Sequence, residues 1–262
     1  MKKLFLLVLL LGSIFTLIAC MDSKIDLEYI NEKGTFVLGF TDFPPMGFNE
    51  NGEPTGFDIE IAKLVFERLD IQLEFRYIDW DSKVVELRSK RIDAIWNGLT
   101  ITDERKLEMT FSRPYFDNNL IIISKSASEI TGISDLTDKN IGVELSSSAD
   151  ISISKNESIM NSAKEIKKYG TSSEAILALN AGLVDAVIVD EIYARYVVLK
   201  DTSNSYSIST DIIGSESYGI GFRLGDEKLR DLIDQTLDEL YEEGLIDEIS
   251  IKYFGVTLFI RG

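Results

Sequence analysis

A single arginine follows a loop of small and polar residues in the stretch NGLTITDER, which runs from Asn97 to Arg105. The apolar run before the loop predicts a buried strand, and the charged run after it predicts a helix. A guanidinium pairs with a carboxylate through two parallel hydrogen bonds. Thr100 can share the same carboxylate oxygens, and Gly98 lets a ligand approach the backbone closely. The stretch therefore predicts a carboxylate-binding site; an ion pair with an acidic neighbour on the helix is the alternative for Arg105.

Two further polar positions lie at predicted strand ends. Asp190 follows the apolar run DAVIV and precedes a helical pattern, so its carboxylate suits either a ligand's ammonium group or the cap of that helix. The run ELSSSADI places serines between a predicted strand and a helix. Here we expect Ser148 to cap the helix while Ser147 and nearby amides face an anion. A simple capped turn is the alternative.

Three aromatic residues stand near these positions in the predicted order of elements. Phe43 lies in a loop beside the run PPM, and Trp80 lies between two aspartates at a strand end. Either ring could support the apolar part of a ligand. Trp96 ends a buried strand and is predicted to belong to the core.

Composition excludes several classes of function. The chain of 262 residues is 45% apolar, and its 27 basic against 44 acidic residues give a net charge of −17. Such a charge argues against nucleic acid, which needs a basic face, and against peripheral binding to anionic lipid. There is no histidine, which excludes histidine-based catalysis and histidine-ligated zinc. We expect no nucleic-acid partner, no metal and no cofactor.

The N-terminus has the pattern of an export signal. Lys2 and Lys3 precede a mostly apolar run from Leu4 to Ala19, which is short for a membrane span, and the run closes with LIAC at Cys20. This pattern resembles the bacterial lipoprotein box. It implies removal of residues 1–19, lipidation of Cys20 and an anchor on the extracytoplasmic side of a membrane in the cell envelope. An ordinary secretory signal is the alternative. Since Cys20 is the sole cysteine, no intramolecular disulfide can form.

The rest of the chain alternates strand and helix patterns, which predicts βαβ units and a largely parallel sheet. The segment LRSKRIDAI from Leu87 and the segment LNAGLVDAV from Leu179 share one pattern: leucine, four residues, Ile or Val, Asp, Ala, Ile or Val. Coincidence is the alternative for so short a match. The repeat predicts two lobes of similar plan whose strand ends face a cleft, because ligands of open α/β sheets bind outside the carboxyl ends of strands.

The lobe bounds follow from two predicted crossing strands. We predict a tether at 20–33, a first lobe from 34–122 and 218–262, and a second lobe from 123–217. The two amphipathic helices at the C-terminus would return to pack on the first lobe.

Several motifs taken together resemble the family 3 extracellular solute-binding proteins of ABC transporters, in the polar amino acid group. They are FPPMGF, GFDIEIAKLVFERL, DWDS, KRIDAIWNGLTITDERK, FSRPYF, NIGVELSSSA, LVDAVIVDE and YGIGFRLGD. The resemblance implies an α/β, two-lobe periplasmic-binding-protein-like fold of type II with two crossover hinge strands. It also implies a monomer that binds a free L-amino acid and delivers it to the permease subunits of an ABC transporter.

The resemblance further implies a set of substrate-binding residues: Asp42, Phe43, Trp80, Asn97, Gly98, Thr100, Arg105, Ser147, Ser148 and Asp190. Arg105 would hold the α-carboxylate with Thr100 and the serine turn. Asp190 would hold the α-ammonium group with a carbonyl at Asn97 or Gly98.

The chain departs from the family pattern at three places. The run GFTDFPPM is about one or two residues shorter than the common pattern between the strand and the aromatic, which leaves the placement of Asp42 in the site open. Asn97 and Gly98 stand where many relatives have serines, and serines replace a more usual Gly-Thr-Thr. Two alternative functions stay open: a dehydratase of cyclic acids on the same fold, with Glu144 as its general acid, or a ligand-sensing module.

Overall fold

The computed structural model describes residues 26–203 and 205–260. The predicted signal peptide at 1–19, the predicted lipidation site at Cys20 and the start of the predicted tether lie outside the described residues. The end of that tether is helical, from Asp26 to Lys33.

The described residues form helices and strands in an alternating order. The helices are α1 (Asp26–Lys33), α2 (Phe57–Arg68), α3 (Lys83–Arg88), α4 (Asp103–Lys106), α5 (Ser148–Lys155), α6 (Glu157–Ser162), α7 (Ser172–Asn180), α8 (Glu191–Lys200), α9 (Glu227–Glu242) and α10 (Leu245–Phe254). The strands are β1 (Thr35–Phe40), β2 (Phe48–Glu50), β3 (Glu53–Thr55), β4 (Gln72–Tyr77), β5 (Ala94–Ile95), β6 (Met109–Phe111), β7 (Phe116–Lys125), β8 (Asn140–Glu144), β9 (Glu165–Tyr169), β10 (Ala186–Asp190), β11 (Tyr206–Ile208), β12 (Gly214–Tyr218) and β13 (Gly221–Arg223).

Two mixed sheets form the centres of two lobes. The first sheet has the order β4-β1-β5-β13-β6, and the second has the order β11-β7-β10-β8-β9, with β12 also paired to β7. The predicted two-lobe α/β fold is confirmed. The prediction of a largely parallel sheet holds for most strands, since β4, β1 and β5 are parallel in the first sheet and β10, β8 and β9 in the second. One strand in each sheet, β13 or β7, runs antiparallel to its neighbours.

The chain passes between the sheets twice, at 112–115 and at 219–220, and the two passages are hydrogen-bonded to each other. The Ser112 N–H donates to the Ile220 carbonyl at 2.9 Å, and the Tyr115 N–H donates to the Tyr218 carbonyl at 3.0 Å. The predicted bound at 122 falls inside β7, whose ladder partners are strands of the second sheet. The residue bounds of the lobes stay a prediction.

The repeated sequence pattern has a repeated structural role. In the first lobe the Asp93 N–H donates to the Val37 carbonyl at 2.7 Å, and the Val37 N–H donates back to the Asp93 carboxylate at 2.8 Å. In the second lobe Asp185 makes the same reciprocal pair with Asn140, at 2.8 and 2.7 Å. Each aspartate therefore aligns its strand, β5 or β10, with the neighbouring strand of its sheet.

The C-terminal helices complete the first lobe. The apolar face of α9 is buried, with Leu229, Ile233 and Leu240 at most 1% exposed, and α9 and α10 pack on α2. Every helix in residues 26–203 and 205–260 is too short or too polar to cross a bilayer.

Candidate functional site

A small cavity lies between the two lobes at the ends of their strands. It is lined by Thr41, Phe43, Trp80, Asn97, Gly98, Thr100, Arg105, Glu144, Ser147, Ser148 and Asp190. Nine of the ten predicted site residues are in this set, and Asp42 is not.

Arg105 reaches the cavity from the short helix α4. The Thr102 hydroxyl caps this helix by accepting the Arg105 N–H at 3.2 Å. The guanidinium donates from Nη1 to the Thr100 carbonyl at 2.8 Å and from Nη2 to the Ser146 carbonyl of the other lobe at 3.1 Å. Burial lowers the pKa of Arg105, and nearby carboxylates partly offset this effect. The side chain is thus a buried cation held by neutral carbonyls rather than by an ion pair within its helix.

Asp190 ends β10 and is 7% exposed. Its carboxylate does not cap α8; one oxygen instead accepts hydrogen bonds from the Asn118 amide, at 2.9 Å, and from the Tyr218 hydroxyl. Asn118 also donates to Glu216 at 2.8 Å. Burial, and then the charge of Glu216, raise the pKa of Asp190 well above its usual value. The arrangement leaves an acidic group at the cavity wall without a contacting cation among the described residues.

The cap of the helix after the serine turn is Ser147, one residue earlier than predicted. Ser147 caps α5, its hydroxyl accepting the Asp150 N–H at 3.1 Å, and Ser148 is the first residue of the helix. Ser146 adopts a left-handed backbone, with a φ of 59°. The turn therefore ends at Ser146, and Ser147 takes the cap position. The Ser146 carbonyl accepts from both Arg105 and Lys83, at 3.1 and 3.2 Å.

Aromatic side chains form two walls of the cavity. Phe43 stacks on Tyr193 of the second lobe, with ring centroids 5.6 Å apart and an interplanar angle of 16°. Trp80 is 6% exposed, and the Lys83 ammonium lies 4.7 Å from its ring centroid. Trp96 is buried in the core, as predicted.

The loop residues of the first lobe use their side chains to hold the backbone. Asn97 accepts the Thr41 N–H at 2.7 Å, so its side chain is engaged within the lobe. The Gly98 N–H donates to Asp58 at 2.7 Å, and Gly98 itself has a φ of 60°. Asp58 is fully buried, which raises its pKa to about 7. The Asn97 side chain and the Gly98 N–H are therefore both engaged within the first lobe.

Asp42 lies outside the cavity wall. Its carboxylate accepts a hydrogen bond from the Ser173 hydroxyl of the second lobe at 2.9 Å. In the shortened loop before Phe43, Asp42 therefore faces α7 and joins the two lobes.

Glu144, considered from sequence only as a general acid, lines the cavity at the end of β8 and is 7% exposed. One of its oxygens accepts the Ser172 hydroxyl at 2.6 Å. Burial raises the pKa of Glu144 to about 7. Burial, and then the charge of Arg105, lower the pKa of nearby Lys83 to about 7. The sequence signal for Glu144 was its place at a strand end beside the serines, the same signal that indicated Asp190.

The sequence matches the profile of the bacterial extracellular solute-binding proteins, family 3, over residues 37–256. The chain belongs to this family. Among curated relatives of this family 3 protein, the L-cystine-binding protein TcyJ of Escherichia coli (strain K12) is 28% identical over 236 residues, covering 88% of this chain and 87% of TcyJ. The arginine-binding extracellular protein ArtP of Bacillus subtilis (strain 168) is 28% identical over 264 residues, covering 97% of this chain and 98% of ArtP.

Solved structures share the fold of this family 3 protein. An ABC uptake transporter substrate binding protein from Streptococcus pneumoniae with bound histidine superposes with a TM-score of 0.86 at 33% identity, covering 90% of this chain and 99% of that one. An ancestral arginine-binding protein bound to arginine superposes with a TM-score of 0.79 at 36% identity, covering 85% and 99%.

The lobes of the family 3 protein touch across the cavity. The contacts already described, from Arg105 to Ser146, from Asp42 to Ser173 and from Phe43 to Tyr193, each join one lobe to the other. At the rim, Lys155 of α5 pairs with Glu104 of α4. The structure is therefore the closed arrangement of the two lobes.

Proposed function

We propose that this family 3 protein binds a free L-amino acid in the cavity between its lobes and delivers it to the permease subunits of an ABC transporter. One observation carries the proposal: Arg105 from the first lobe and Asp190 from the second line the same cavity. Arg105 matches the carboxylate of a zwitterion, and Asp190 matches its ammonium group, whose charge would favour the ionised form of the buried carboxyl.

The energetics favour binding in the closed arrangement. Burying a zwitterion costs several kcal/mol per ion unless each charge is paired. Hydrogen bonds to charged groups return roughly 1.5–3 kcal/mol each. A guanidinium has five N–H donors, and the hydrogen bonds to Thr100 and Ser146 leave donors for a ligand carboxylate. Since Arg105 and Asp190 belong to different lobes, the ligand pairs both its charges only when the lobes close, and its binding shifts the population to the closed form.

The ligands for which the relatives are named support the same proposal. Proteins named for binding cystine and arginine cover most of this chain, and the superposed structures hold histidine and arginine. The proposal also includes four features of such a transport system: docking on a permease, anchoring through a lipid on Cys20, an extracytoplasmic location and a monomeric state. Non-catalytic binding is proposed over the dehydratase alternative, because these relatives are named for binding.

A thermal-shift screen tests the proposal. The protein is unfolded, dialysed and refolded to remove carried ligand, and then heated with each of the twenty amino acids and with cystine. We expect a saturable rise in melting temperature with at least one of them, because a ligand at 100 times its Kd stabilises a protein by about 2.7 kcal/mol. The absence of any rise, combined with no heat of binding in calorimetry, would overturn the proposal.

A further inference from the structure

We infer that Glu144 selects an amino acid whose side chain carries a positive charge, with a flat guanidinium favoured. The inference rests on the proposed function and deepens it. Three ionisable side chains line the cavity: Arg105, Glu144 and Asp190. The carboxylate and the ammonium group of an amino acid pair with Arg105 and Asp190, which leaves Glu144 for the ligand's side chain.

Glu144 is built into the cavity wall. The carboxylate is 7% exposed and stands at the end of β8. One oxygen accepts the Ser172 hydroxyl at 2.6 Å, and the Ser172 backbone N–H also hydrogen-bonds to the carboxylate. The carboxylate is therefore fixed in direction at the cavity wall, and its remaining lone pairs can accept a hydrogen bond from a ligand.

The protein does not supply a contacting cation for this carboxylate. Among the described residues, no lysine or arginine nitrogen lies within 4.0 Å of Glu144. Lys83 and Arg105 are both close enough to act on Glu144 electrostatically. The Lys83 ammonium donates instead to the carbonyls of Trp80 and Ser146, at 2.8 and 3.2 Å. The Arg105 guanidinium donates to the carbonyls of Thr100 and Ser146. A buried carboxylate without a paired charge is costly, so a cationic ligand group relieves a cost that a neutral group leaves in place.

The walls beside Glu144 suit a planar cation. Phe43 and Tyr193 form a stacked pair at the closure of the lobes, and Trp80 lies on another side of the cavity. Cations bind over aromatic faces, and a guanidinium also stacks on them and donates two parallel hydrogen bonds to a carboxylate. These features select arginine-like ligands over acidic and neutral ones.

Calorimetry with L-arginine and L-citrulline tests the inference. The two amino acids have nearly the same shape, but citrulline carries a neutral ureido group in place of the guanidinium. We expect wild-type protein to bind arginine more tightly by roughly 10- to 150-fold, the effect of one hydrogen bond to a charged group. In Glu144→Gln the ratio should fall close to one. The control Glu157→Gln removes one charge from an exposed site of the same lobe and should keep the wild-type ratio.

Three outcomes decide the matter. Equal or tighter binding of citrulline to the wild-type protein overturns the inference, and this result does not depend on whether the variant folds. An unchanged ratio in a folded Glu144→Gln variant also overturns it. In both cases the binding of a neutral amino acid would leave the proposed function standing, whereas the failure of every amino acid to bind would overturn the function as well.

Discussion

The guanidinium of Arg105 and the backbone carbonyl of Ser146 lie on opposite lobes and are joined by a hydrogen bond of 3.1 Å. Arg105 thus has two tasks: it presents a positive charge to the cavity, and it ties the first lobe to the serine turn of the second. Lys83 donates to the same carbonyl at 3.2 Å. The closed state therefore depends on a backbone oxygen whose position is fixed by an unusual turn.

Replacing Arg105 should remove amino acid binding while the fold survives. Arg105→Ala deletes both donors to the ligand carboxylate, and two hydrogen bonds at roughly 1.5–3 kcal/mol each correspond to a loss of at least about 100-fold in affinity. Arg105→Lys keeps the positive charge but loses the planar pair of N–H donors that a guanidinium offers to a carboxylate. This variant should bind with intermediate affinity. Calorimetry measures both. The control Arg68→Ala removes an arginine paired with Glu243 on the surface and should bind normally. Binding by a folded Arg105→Ala protein within about tenfold of the wild-type affinity would refute the assignment.

Replacing Asp190 should weaken binding without unfolding the protein. Asparagine keeps an oxygen for the Asn118 amide and the Tyr218 hydroxyl but loses the charge that would face the ligand ammonium group. We expect affinity to fall by roughly 10- to 150-fold, with circular dichroism unchanged. The variant Asp231→Asn, at an exposed position in α9, serves as the control. Equal affinity in Asp190→Asn and wild type would count against the ammonium role.

Ser146→Gly should stabilise the protein. Ser146 has a φ of 59°, and a left-handed residue with a side chain costs about 1–2 kcal/mol, while glycine loses about 0.5–1 kcal/mol more backbone freedom on folding. The difference predicts a gain of up to about 1.5 kcal/mol, measured as a higher urea midpoint at unchanged slope. Ser134→Gly, at an exposed serine outside the left-handed region, should destabilise instead. A lower midpoint for Ser146→Gly would show that the serine side chain contributes a contact that outweighs its strain.

Asp58→Asn should reduce the dependence of stability on pH. Burial raises the pKa of Asp58 from 3.8 to about 7, so the folded state holds this proton more tightly than the unfolded state. Stability from this group is therefore present below about pH 4 and is lost as the pH rises through about 7. Between pH 5 and pH 8 the wild-type protein should lose about 3 kcal/mol more unfolding free energy than the variant.

Urea unfolding at both pH values measures this difference. The groups around Asp58 are the Gly98 N–H and the Tyr115 hydroxyl, which both donate to it. Asp231→Asn, whose carboxylate is exposed, should keep the wild-type change with pH. Parallel pH profiles for wild type and Asp58→Asn would contradict the buried, proton-binding role.

The sequence was informative wherever local order decided the position of a side chain. Arg105, Thr100 and Asp190 follow buried strands, and strand ends of two facing lobes must meet at one cleft, so their approach to one cavity was predictable. The repeated aspartates predicted the two-lobe plan for a physical reason that only the hydrogen bonds of Asp93 and Asp185 make clear.

Tertiary contacts decided the rest. The direction of Asp42 depends on Ser173, which is 131 positions away in the chain. The cap of α5 depends on the left-handed Ser146, because sequence spacing alone suited either of the two serines that follow it. The proposed role of Glu144 follows from the absence of a contacting cation among the described residues. The sequence alone does not show which charged side chains lie close enough to pair.

The two passages between the sheets are tied together, because Ser112 is hydrogen-bonded to Ile220 and Tyr115 to Tyr218. Opening of the lobes would therefore bend both passages together. Each half of the binding site then stays assembled when the lobes separate, since Arg105 remains on its capped helix and Asp190 on its sheet. A ligand thus binds to two preformed surfaces, and few loop residues have to be ordered when it binds. Ordering of loops costs conformational entropy and lowers affinity, so a preformed site avoids this loss.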